Sequence, residues 1–172
     1  MAEILLIVRH TPVWVFAVLA VLVFFGVQAL QQRTVPVWRL VIIPAVFIVW
    51  GVTAVVARSA TFPILIVDWM ITGAVGFAIG WGTTRLDGVE IDRAAARVQV
   101  PGSAVPLIRN LLIFAAKYCL AAAMALAPRL HGSLSAWDIA VSGLSAGYFV
   151  GWLVRFGIRY RKAPQPELAS PT

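Results

Sequence analysis

Residues 12–30 read PVWVFAVLAVLVFFGVQAL, an apolar run without a single charged side chain. At about 1.5 Å per helical residue, such a run approaches the ~30 Å hydrocarbon core of a bilayer. Its entry, Thr11-Pro12, has the form of an N-cap followed by a proline at the first helical position. Four further runs, predominantly apolar, lie at about 38–57, 62–82, 106–127 and 135–156. Pro44 falls early in the second and is expected to kink or loosen its first turns. The fold class that follows is an all-α integral membrane protein, a five-helix transmembrane bundle.

Composition excludes the soluble alternative. Of the 172 residues, 61% are hydrophobic and only 12% charged, where a soluble domain carries about 25% charged residues. Mean hydropathy is +0.91. A body this small buries only about 60–70% of its chain's surface, so lipid must cover the remainder. The formal charge of +7 does not indicate nucleic acid, because the basic residues cluster in the gaps between apolar runs. Cys119 is the only cysteine, which rules out an intrachain disulfide.

The one long gap, 83–105, contains Gly88-Val89-Glu90-Ile91-Asp92, then Arg93-Ala94-Ala95-Ala96, then Arg97-Val98-Gln99-Val100-Pro101-Gly102. Both flanks alternate apolar and polar residues with the period of a strand. A fold at 93–96 sets Val89 opposite Val100, Ile91 opposite Val98 and Asp92 opposite Arg97. The spacing predicts a short cytoplasmic β-hairpin at about 88–102, between the third and fourth helices; a frayed loop is the alternative. The transmembrane domain is expected over 1–158, followed by a disordered, proline-rich tail over 159–172.

Five spans place the termini on opposite sides. One side carries Arg9, Arg58 and Arg129; the other carries Arg33, Arg39, Arg85, Arg93, Arg97, Arg155, Arg159, Arg161 and Lys162. The positive-inside rule assigns the richer side, with hairpin and C-terminus, to the cytoplasm and the N-terminus to the outside. Trp14 and Trp137 then fall at outer helix ends, with Trp38, Trp81 and Trp152 at inner ones. Cleavage of the first helix as a signal peptide after Val27-Gln28-Ala29 would export the hairpin arginines, which the charge bias opposes.

Asp68 and Lys117 are the costliest residues, since a charge near mid-membrane costs about 2.5–3.5 kcal/mol on insertion scales. Together they form either an ion or proton pathway or a buried pair that fixes helix packing. Gly143, Gly147 and Gly151 recur every four residues, as do Thr72, Gly76 and Gly80, the spacing that lets helices approach closely. These faces are expected to be packing contacts, within the chain or between copies. Asp138 fits the end of a capping box, Ser135-Ala136-Trp137-Asp138, at the start of the fifth helix. His10 and His131 have no matching ligand cluster, so no metal is expected, nor any other cofactor.

No phosphate loop, zinc-protease helix or nucleophile elbow occurs, so no catalytic residue is expected. His10-Thr11-Pro12, Val100-Pro101-Gly102-Ser103 and Lys117-Tyr118 give the chain a layout that resembles uncharacterised bacterial inner-membrane families, including the CcdC-like proteins. The resemblance implies a bacterial inner-membrane location and no assigned activity. Two function classes remain: a membrane scaffold, assembly or accessory protein, and a small oligomeric transporter or channel using Asp68 and Lys117. The expected partners are the lipid bilayer and another membrane protein or a second copy.

Overall fold

The structure, a computed structural model, describes residues 11–59, 63–84 and 86–164. Helices account for most of it. Helix α1 is Val13–Gln28, α2 is Val37–Ser59, α3 is Ile64–Thr83, α4 is Val105–Leu126 and α5 is His131–Lys162. A single 3-10 turn, Pro128–Leu130, precedes α5. Four of the helices, α2 to α5, are long and apolar enough to cross a membrane. With 16 residues, α1 reaches about 24 Å at 1.5 Å per residue and is the shortest. Arg9, His10, Phe62, Arg85, the side chains of Trp14 and Arg58, and tail residues 165–172 lie outside the described residues.

Two helix ends differ from the sequence expectation. Pro12 itself occupies the N-cap position of α1, and no side chain caps it. Thr11 instead turns its hydroxyl to the Tyr118 hydroxyl, 2.6 Å away. The fifth helix starts at His131 rather than 135 and continues to Lys162, past 156 and into the expected tail. Arg159, Arg161 and Lys162 fill its last turn, where cations are favoured by the helix dipole. That dipole, with the strong helix propensity of arginine and lysine, accounts for the extension beyond the apolar run.

The polar gap folds as the hairpin its alternation predicts, with β2 at Glu90–Asp92 and β3 at Arg97–Val100. Ile91 pairs with Val98 and Asp92 with Arg97. The ladder ends at Glu90 opposite Gln99, so Val89 falls just beyond it. A third strand joins them: β1, Arg33–Pro36, pairs antiparallel with β3, giving the order β1-β3-β2. Val35 lies opposite Val98, and both are buried. Pro36 is tolerated because β1 is an edge strand, where a missing N–H breaks no inner ladder. The tip is closed by the Ala95 N–H donating to the Asp92 carboxylate at 2.9 Å. Ala96 there adopts a φ of +50°, a left-handed conformation costly for a residue with a Cβ.

The elements form two compact units. The first comprises α1, α4 and residues 131–138 of α5; the second comprises the sheet, α2, α3 and residues 139–162.

Candidate functional site

In the first unit the chain reverses through the 3-10 turn, so that α4 and the start of α5 are antiparallel neighbours. Lys117 lies nine residues before the end of α4 and Asp138 seven residues after the start of α5. At 1.5 Å per residue these depths agree to within about 3 Å. The Lys117 ammonium accordingly forms an ion pair with the Asp138 carboxylate. It also donates to the Asp138 carbonyl at 3.3 Å. The pair is well shielded, with side-chain exposures of 16% for Lys117 and 7% for Asp138.

This replaces two sequence expectations. The ion-pair partner found for Lys117 is Asp138, not Asp68. The capping box at Ser135–Asp138 does not form, because α5 has already begun four residues earlier. Ser135 is buried inside the helix, and its hydroxyl faces Met124 Sδ at 3.9 Å. The cap-like form of Ser135–Asp138 hid the role of Asp138 as a counterion to Lys117.

Other polar groups stand on α4. Asn110 is buried and accepts from Arg109 Nε at 3.1 Å through its side-chain oxygen. Tyr118, next to Lys117, meets Thr11 and stacks along the helix on Phe114. The first unit is thus held by polar contacts at several depths.

Asp68 belongs to the second unit, where it is half-buried near the start of α3. Its carbonyl accepts from the Thr72 hydroxyl at 2.8 Å. Its carboxylate has no hydrogen-bond or ion-pair partner among the described residues. The neighbouring Trp69 buries its indole N–H without an acceptor, again among the described residues.

The glycine faces do meet, and they meet inside this unit. A Cβ at Gly147 would strike the Gly73 carbonyl, and one at Gly76 or Gly80 would strike the carbonyl of Leu144 or Tyr148. Gly143 lies against Thr72 and Trp69, and Gly151 against Phe77 and Trp81. α3 and α5 therefore touch backbone to backbone along residues 72–81 and 143–151. Gly73, opposite Gly147, completes the face and lies one position from the four-residue series. Arg155 then donates to the Trp81 carbonyl at the end of α3.

Among the described residues, no group of three or more His, Cys, Asp or Glu is placed to hold a metal ion. His131 is exposed at the first position of α5. Among the described residues, the arrangement offers the Lys117–Asp138 ion pair, the Asp68 carboxylate without a partner and a tightly closed contact between α3 and α5.

No curated protein and no solved structure matches the chain. The family of unknown function DUF6622 matches residues 2–166; the chain belongs to that family.

Proposed function

We propose that this chain is a multi-pass protein of a bacterial inner membrane with a scaffold, assembly or accessory role and no catalytic step of its own. The observation that carries the reading is the Lys117–Asp138 pair. A cation deep in an apolar helix is answered by an acid of the same chain, which fixes helix packing and leaves no net charge to carry cargo. The glycine faces support it, since they are spent on contact between α3 and α5. The topology proposed has five spans with the hairpin and C-terminus in the cytoplasm, from the distribution of arginine and lysine. In it, α1 is accommodated by local thinning of the bilayer or by its flanking residues.

One observation favours a second reading, a small oligomeric transporter or channel: the Asp68 carboxylate, half-buried in an apolar helix, lacks a partner among the described residues. An unsatisfied acid at such a position is the usual mark of an ion or proton path. Proteoliposomes loaded with a pH-sensitive dye separate the two. The scaffold reading expects proton and cation flux no greater than that of empty vesicles. A flux that disappears in Asp68→Asn would replace it with the transport reading. Reporter fusions after Arg97 and Arg161 should both report cytoplasm, and a periplasmic signal at either would overturn the topology.

A further inference from the structure

Within the second unit the tip of the hairpin folds onto the end of α5. Arg93 donates through Nη1 to the Arg161 carbonyl at 3.4 Å, and its guanidinium lies over the Tyr160 ring, 5.8 Å from the centroid. The Val37 N–H donates to the Ala96 carbonyl at 3.1 Å, which ties the same tip to the start of α2. The fold thus carries a cation to a helix end that is already basic, where Arg161 and Lys162 are exposed. The helix dipole favours a cation at these last carbonyls, and Arg93 supplies one directly. No acid occurs between Asp138 and Glu167, and among the described residues neither Arg161 nor Lys162 has an ion-pair partner. Asp92, the acid next to Arg93, accepts from the Ala95 N–H and stands opposite Arg97.

The helix below this cluster has a face of matching kind. Val150, Val154 and Ile158 recur every four residues and are all exposed; one further step along the same face reaches Lys162, with Arg161 beside it. The cations lie about 5–6 Å past Ile158 at 1.5 Å per residue, and a headgroup layer is about 5–8 Å deep. An apolar stripe that ends in two cations has the polarity of an anionic lipid, chain below and phosphate above. α3 shows that the ending is not general: its exposed series Ile71, Val75 and Ile79 runs into Thr83. A free phosphate would leave the stripe unused, whereas an acyl chain covers it. Arginine suits the phosphate, because its planar fork matches two oxygens at once.

We propose that Arg161 and Lys162, with Arg93 beside them, bind the phosphate of an anionic phospholipid whose acyl chain lies along Val150, Val154 and Ile158. This inference rests on the membrane reading given under Proposed function.

The test uses the full chain in detergent, supplied with phosphatidylglycerol or phosphatidylcholine, with bound lipid counted by native mass spectrometry and stability followed by thermal shift. The wild type should retain phosphatidylglycerol over phosphatidylcholine by a factor on the order of ten or more, as cations at a lipid surface provide. Arg93→Gln should weaken that preference, and Arg161→Gln/Lys162→Gln should abolish it. Arg129→Gln/Arg159→Gln removes equal charge away from the stripe and should leave it intact. Equal retention of both lipids by the wild type overturns the site, as does an equal loss in the Arg129→Gln/Arg159→Gln variant. Inorganic phosphate stabilising the lipid-free protein as much as phosphatidylglycerol does would assign the cations to a soluble anion and also overturn it. Alkaline extraction of cell membranes tests the membrane reading separately, since a chain that stays in the pellet is embedded whether or not it prefers one lipid.

Discussion

The two units hold their helices together by different physics. In the first, Gly26 of α1 packs against the Leu107 side chain, whose Cδ1 can rotate aside while its Cβ stays close, and only 6% of the apolar stretch of α4 is buried. What fixes α4 there is polar: Lys117 to Asp138 and Tyr118 to Thr11. In the second, glycines meet the carbonyls of the facing helix, which cannot rotate aside. Apolar burial offers little drive where lipid is as apolar as the protein, so helices adhere through close van der Waals contact or through polar pairs. The contact between α3 and α5 uses mainly the first, and the contact between α4 and the start of α5 the second.

That contrast predicts which substitutions are tolerated where. The largest effect is expected for breaking the ion pair from one side. Lys117→Met or Asp138→Leu should each cost about 3–5 kcal/mol, because the remaining charge is left shielded and unpaired; denaturant titration in mixed micelles measures it. Gly147→Ala comes next, at about 2–3 kcal/mol, since even a methyl group forces α3 and α5 apart. Gly26→Ala is the matched control and should cost under about 1 kcal/mol, as Leu107 changes rotamer. Similar losses at the two glycines would erase the distinction between the units. Tyr118→Phe should cost about 1 kcal/mol, the typical worth of one hydrogen bond. The smallest change is favourable: Ala96→Gly relieves a positive φ at the hairpin tip and should raise stability by about 1 kcal/mol.

How much of this was legible in the sequence depends on the period of each signal. The hairpin register followed from two flanks alternating with period two around Arg93-Ala94-Ala95-Ala96, since a slip by one residue would have turned Val98 and Ile91 outward. The glycine faces followed from four-residue spacing. β1 was not legible: Arg33-Thr34-Val35-Pro36 is four residues long, ends in proline, and pairs with a strand more than sixty residues later. The start of α5 was misplaced because Ser135-Ala136-Trp137-Asp138 has the form of a cap, while the residues that carry the helix back to His131 include Gly132 and have no strong helical pattern. That error propagated. With Asp138 assigned to a cap, Asp68 became the apparent partner for Lys117, and depth along the helices could not exclude it. Choosing between two acids at compatible depth requires knowing which helices are neighbours, and no local pattern encodes that.

The charge of Lys117 is matched within the chain by Asp138, and on the scaffold reading the pair serves packing. A double-mutant cycle on Lys117→Met and Asp138→Leu, read as unfolding free energy in mixed micelles or bicelles, tests it most directly. The double variant should lose less stability than the two single variants added together, with an interaction energy of about 1–3 kcal/mol, since removing both charges leaves neither partner unpaired. Strictly additive losses would mean that the two residues act independently, and would contradict the claim.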